Sequence, residues 1–289
     1  MAFDLLTGRR GTGKSKLALI LMQEHLKAGR RVATNLNVWP EKMLPPSSRC
    51  NLVRVPDKPT VADLELLGDG NNGDAYNEEH NGLLILDELG TWLNARTFSD
   101  KSRGPLIDWL VHSRKHGWEC VMICQDLVQI DKQVRDSLVE YVTRCTRADK
   151  VRWPFVGWII AALFGERAAC LPKFHRAVRR LGCDPHGLIA RVRMYRDGGV
   201  QSAYDTRQVF RDDYPHGPHS LLSPWHVLGR HLPPVVPWWR RLMAGAVRGS
   251  GAKRPTPAPR LAIVQRLHEL AAPDDRIRHM RRLIAAGLV

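Results

Sequence analysis

Apolar and polar positions alternate between short strand-like runs and helical stripes over the first half of the chain. Ala2–Leu6 predicts a strand. Lys16–Lys27 predicts a helix with Leu17, Ile20, Leu21 and Leu26 on its apolar face. Arg31–Thr34 and Asn51–Val55 read as strands, and Thr60–Leu67 as a short helix that Thr60 can cap. Leu83–Leu86 are four consecutive aliphatics, the pattern of a central strand covered on both faces. The stretch 104–116 predicts a helix with Leu106, Trp109, Leu110 and Ser113 on one face, stopped by Gly117. Glu119–Cys124 predicts an apolar strand, Gln129–Leu138 a short helix, and Val139–Thr146 a strand near the sheet edge. This alternation implies an α/β fold, a mainly parallel sheet covered by helices on both faces. In such a sheet ligands sit beyond the C-terminal ends of the strands.

The pattern loosens elsewhere. Gly68–Asn81 has almost nothing to bury and reads as an exposed loop. After Asp149 the chain becomes basic. Ala190–Tyr195 and Val200–Tyr204 are expected to pair as a hairpin across Arg196–Gly199. A Pro/Gly/basic linker at Arg248–Pro259 precedes two short amphipathic stretches, Arg260–Leu270 and Asp274–Leu288. The expected division is a core over 1–150, a basic continuation over 151–230 and a basic C-terminal extension over 231–289.

One polar interruption carries chemistry. Between the first strand and first helix lies Gly8-Arg9-Arg10-Gly11-Thr12-Gly13-Lys14-Ser15, the phosphate-binding loop pattern in its strand–loop–helix context. Its glycines let backbone N–H groups wrap a phosphate, and the helix start adds partial positive charge. Lys14 would reach the β- and γ-phosphates of ATP, and Ser15 would ligate Mg²⁺. The run Leu83–Leu86 ends in Asp87 and Glu88, a Walker B pattern. Asp87 suits the Mg²⁺ shell, and Glu88 suits polarising a water for attack on the γ-phosphate. If the 119–124 strand lies between the other two, Gln125 falls beside that phosphate as its sensor; a strand-end cap is the alternative. Arg114 and Arg135 are expected near the C-terminal side of the sheet, where each reads first as a surface charge or helix-end partner, and otherwise as the arginine that an oligomeric motor would donate to a neighbouring subunit.

Charge adds a partner. Residues 1–150 carry 21 Lys and Arg against 20 Asp and Glu; residues 151–289 carry 23 against 9. That asymmetry suits nucleic acid, an anionic membrane face or an acidic protein, with a solvated basic surface as the alternative. Six cysteines form no Cys-x-x-Cys pair, which fits unpaired thiols in a reducing compartment. No apolar run reaches the ~18–20 residues of a membrane span; Phe155–Phe164 comes nearest and reads as a buried or interfacial helix. Trp153 and Trp158 suit packing, base stacking or lipid, and Trp238-Trp239-Arg240-Arg241 suits an interface.

Together, Gly8–Ser15, Leu83–Glu88, Trp109–Gly117, Gln125-Asp126, Ile130–Arg135, Pro172–His175 and the stretch from Tyr204 through Ser220 resemble the zonula occludens toxin family. That resemblance covers roughly residues 1–230. It implies an additional-strand P-loop NTPase, an ATPase motor for assembly and export of filamentous phage. Its implied partners are further copies of itself, single-stranded phage DNA or its protein complex, inner-membrane assembly proteins and anionic lipid. It implies work at the cytoplasmic face of the host inner membrane, although the family usually carries a spanning helix that this sequence does not show. The alternatives are a small-molecule kinase and a non-hydrolysing nucleotide-binding partner module or toxin.

Overall fold

The computed structural model describes residues 3–71, 77–93, 103–130, 132–147, 157–164, 174–184, 186–196 and 198–231. The extension over 232–289 therefore lies outside the described residues, with its linker, its two amphipathic stretches and Trp238–Arg241; so do Trp153 and Cys170. The strands are β1 (Phe3–Thr7), β2 (Val32–Thr34), β3 (Leu52–Arg54), β4 (Gly82–Leu86), β5 (Trp118–Ile123), β6 (Tyr141–Arg147), β7 (His175–Leu181), β8 (Ile189–Tyr195) and β9 (His219–Leu221). They form one sheet in the order β8-β7-β6-β1-β5-β4-β2-β3-β9. The five pairings from β6 across to β3 are all parallel, as the α/β pattern requires, and β7, β8 and β9 join antiparallel at the margins.

The helices are α1 (Lys14–Lys27), α2 (Val61–Glu65), α3 (Leu89–Trp92), α4 (Arg103–His112), α5 (Lys132–Leu138), α6 (Gly157–Phe164) and α7 (Pro224–Val227). Two apolar layers flank the sheet. On one face Leu17, Met22 and Leu26 of α1 pack over Leu6, Leu83, Val121 and Ile123. On the other, Leu106, Trp109 and Leu110 of α4 cover Leu5, Leu84, Leu86 and Met122, with Ser113 also buried. Thr60 caps α2 in a capping box with Asp63, which satisfies two helix-start N–H groups. Sequence pattern and structure agree here because each central strand is buried on both sides.

Two expectations are corrected, and a third, the exposed 68–81 loop, holds with its ends pinned. β6 is an interior strand, paired with β1 on one side and β7 on the other. β8 pairs back onto β7 across Gly182, so the expected 190–204 hairpin does not form; Val200–Ala203 is a 3-10 turn. The stretch 68–81 is anchored at both described ends: Gly70 and Asn81 are buried, and Trp118 Nε1 donates to Gly68 O at 2.9 Å. Trp118 is wholly buried, and a Cβ on Gly82 would stand 2.8 Å from its ring, so only glycine lets the two strands close. In α6, Trp158 and Leu163 are each 70% exposed, so Trp158 is not packed away among the described residues.

Candidate functional site

The phosphate loop, the acid pair and Gln125 meet beyond the C-terminal ends of β1, β4 and β5. β5 lies between β1 and β4, the additional-strand arrangement. Arg10, Gly11, Lys14, Ser15, Asp87, Glu88 and Gln125 line one open cleft of about 860 Å³. At its base Ser15 Oγ donates to Asp87 Oδ2 at 3.1 Å. Lys14 Nζ donates to Gly8 O at 2.7 Å and Arg9 O at 3.3 Å, and Thr12 Oγ1 to Arg9 O at 2.7 Å. Gln125 is held from the loop side, its Oε1 accepting from Arg10 Nε at 3.3 Å.

Two glycines of the loop are dictated by space. Gly8 has φ 142°, and a Cβ there would stand 2.6 Å from Cys145 O. Gly13 has φ 93°, and a Cβ would meet the His175 ring at 2.6 Å.

The acids differ. Burial pushes Asp87 up to about 6, against the pull of the Glu88 N–H, the Ser15 hydroxyl and Lys14. A carboxylate so placed, beside a serine hydroxyl at the mouth of a phosphate loop, fits a hard divalent cation, whose charge would restore the ionised form. Ser15 and Asp87 are therefore the residues that would hold Mg²⁺, directly or through its water. Glu88 takes a left-handed backbone, φ 55° and ψ 37°, and starts α3. Such a conformation costs a non-glycine residue of order 1 kcal/mol and is a feature of functional sites.

Further residues hold this site and went unrecognised in the sequence. Asn35, fully buried after β2, accepts the Asp87 N–H at 2.8 Å and donates to Asp87 O at 3.1 Å. Asp57, ion-paired with Arg54 at 2.5 Å, and Gln208 anchor Asn35 in turn: its amide donates to Asp57 O at 3.0 Å, and Gln208 Nε2 donates to its carbonyl at 2.8 Å. From the other side β7 and β8 brace the loop. His175 Nδ1 lies 2.8 Å from Thr12 O, and Tyr195 OH donates to Gly13 O at 2.9 Å; the two rings stack at 5.2 Å. Burial keeps the Tyr195 phenol protonated. Their partners are 163 and 182 residues away in sequence, so no local pattern marks them. Tyr195→Phe should raise the Kd for a fluorescent ATP analogue roughly fivefold, the value of one hydrogen bond, with little change in secondary structure by circular dichroism.

The arginine candidates are corrected. Arg114 sits ahead of β5, at the N-terminal end of the strands, where it pairs with Glu78. The carbonyl of Arg135 faces Cys183, just beyond Leu181, which pairs with the first residue of β6. Both lie toward the pole away from Gly8–Ser15. Among the described residues no cluster of His, Cys, Asp and Glu is set to hold a metal by itself. The described cysteines are free, and burial pushes Cys120 up to about 12.

The family model for zonular occludens toxin (Zot) matches residues 2–155. The Gene 1 protein of Salmonella phage IKe is 42% identical over 234 residues, 79% of this chain and 63% of the relative. This chain belongs to the Zot family. The Gene 1 protein of Enterobacteria phage M13 is 39% identical over 239 residues, 81% of this chain and 68% of the relative. The chain thus spans less than two thirds of the IKe protein's length. Among solved structures, the N-terminal domain of zonular occludens toxin from Neisseria meningitidis is 17% identical, covering 71% of this chain and 98% of that one, with a TM-score of 0.42. The genome packaging NTPase B204 from Sulfolobus turreted icosahedral virus 2 is 14% identical, covering 68% and 97%, with a TM-score of 0.34. Among the described residues of this Zot-family chain no helix is long and apolar enough to cross a membrane.

Proposed function

We propose that this Zot-family chain is an ATP-hydrolysing motor for phage assembly and export, acting on single-stranded DNA or its protein complex at the host inner membrane. The observation that carries it is the 3.1 Å Ser15–Asp87 contact in a cleft that also holds Lys14, Glu88 and Gln125. In this reading Lys14 and the loop N–H groups bind and neutralise the triphosphate. Mg²⁺ held by Ser15 and Asp87 would supply charge stabilisation at the phosphoryl oxygens. Glu88 orients the attacking water and takes up its proton, and Gln125 senses the γ-phosphate through its link to Arg10. Asn35 keeps Asp87 in place. The phage relatives support the setting, and the acid pair favours hydrolysis over kinase chemistry. Oligomer, membrane partner and DNA are parts of the same proposal.

The test is phosphate release from ATP with and without single-stranded DNA. Turnover by the parent, its stimulation by DNA, and loss of nucleotide binding in Lys14→Ala are the expected results. Phosphate transfer to a metabolite would favour the kinase, and no turnover a non-hydrolysing partner module.

A further inference from the structure

The arginines of β6, β7 and β8 divide by the face they occupy. On the face shared with α1, two of them are ion-paired. Arg193 grips Glu24 through bonds of 3.1 and 2.5 Å, and Arg179 stands 3.0 Å from Asp4. On the opposite face the register sets Thr146, Arg176 and Met194 in one row, Arg144, Val178 and Val192 in the next, and Val142 with Arg180 in a third. Arg144 and Arg176 are exposed there, as are Val192 and Met194. Among the described residues no carboxylate pairs with Arg144, Arg176 or Arg180.

This face continues into a groove of about 670 Å³ that reaches the phosphate loop, lined by Arg9, Arg10, Arg144, Arg147 and Arg180. Its two acids serve the backbone: Asp126 accepts the Val128 N–H at 3.3 Å, and Asp184 the His186 N–H at 2.8 Å. Groove and nucleotide cleft share Arg10, Gln125 and Asp126, so the Arg10–Gln125 bond joins them.

We infer that this outer face of β6–β8, with its groove, seats a single-stranded polynucleotide, phosphates on Arg144, Arg176 and Arg180 and bases over Val192 and Met194. Same-face rows lie about 6.7 Å apart along a strand, close to the phosphate repeat of an extended single strand. Cations spread over three rows match a chain of phosphates, whereas a lone phosphate needs them to converge. A positively charged groove that tracks the backbone is the electrostatic half of a single-strand site, and the exposed Val192 and Met194 beside it offer bases an apolar surface. The site deepens the motor reading by saying where its DNA lies, and it places that DNA one side chain from the γ-phosphate sensor.

The test uses the full chain and a labelled oligothymidylate, followed by fluorescence anisotropy without nucleotide. Arg144→Glu with Arg176→Glu should lower affinity roughly tenfold and reduce the salt slope by about 1.4, or 0.7 for each lost phosphate contact. Basal ATP hydrolysis should not change. Lys27→Glu with Arg30→Glu, at the far end of α1, alters net charge equally and should leave most of the binding. Should the first pair fail to fold, Arg176→Gln at an exposed position is expected to cost about threefold. The site is refuted if the first pair binds DNA like the parent, or if the control pair loses as much. It is also refuted if the first pair loses only binding to phosphatidylglycerol vesicles. A chain that binds DNA through these arginines yet never turns over ATP would overturn the motor and spare the site.

Discussion

Glu88→Gln should leave ATP bound with parental affinity and slow its hydrolysis by about 10²–10⁴-fold, the range contributed by a positioned general base. Glu88 lines the cleft without supporting the loop, while its backbone N–H, which the substitution keeps, donates to Asp87 Oδ1 at 2.7 Å. Glutamine preserves size and the ability to orient a water, but cannot take up a proton. Equilibrium binding of a fluorescent analogue beside single-turnover phosphate release separates the two quantities. Hydrolysis at the parental rate would remove Glu88 from its assigned role and point to another base in the cleft.

Arg179→Met should destabilise the fold by about 3 kcal/mol at pH 8, the cost of leaving one partner of a buried ion pair alone. Asp4 and Arg179 are each about 12% exposed, and Thr143 Oγ1 donates to Asp4 Oδ1 at 2.8 Å. Burial raises Asp4 from 3.8 to about 6 even with the Arg179 charge and Thr143 pulling it down. Because the folded value lies above the unfolded one, the contribution of Asp4 is fully present below pH 4 and is lost as pH rises through 6. Without Arg179 the carboxyl moves higher still, so the penalty should be large at pH 8 and small at pH 5. Urea melts of both proteins at the two pH values check this; an equal loss at both would show that Arg179 acts through packing over the Tyr141 ring, 3.9 Å away.

The central strands and the phosphate loop were legible because their signals are local. Leu83–Leu86 is buried on both faces, so its composition alone announces a middle strand, and Gly8–Ser15 carries its own spacing. The margins were harder to read. β6 mixes Arg144 and Arg147 with Val142 and Cys145 because only part of it is covered, and that mixture looks like an edge. The true partner of β8 is β7, but Asp197-Gly198 supplied a stronger turn signal than the Gly182 region that makes the connection. Asn35, Asp57 and Gln208 were invisible for another reason. Each is a polar residue in an irregular stretch, and only the fold brings the three under Asp87. Arg114 was misplaced because a helix-to-strand turn runs at the bottom of a parallel sheet, opposite the ligand end.

β9 gives the architecture a practical consequence for choosing fragments. The chain after residue 174 sends two strands to one flank of the sheet and then crosses to the other, where His219–Leu221 seals β3. Cutting at 155, where the family match stops, would unzip both flanks at once, exposing two rows of sticky backbone donors and acceptors and unbracing the phosphate loop. A minimal expressible unit has to run to about Leu221.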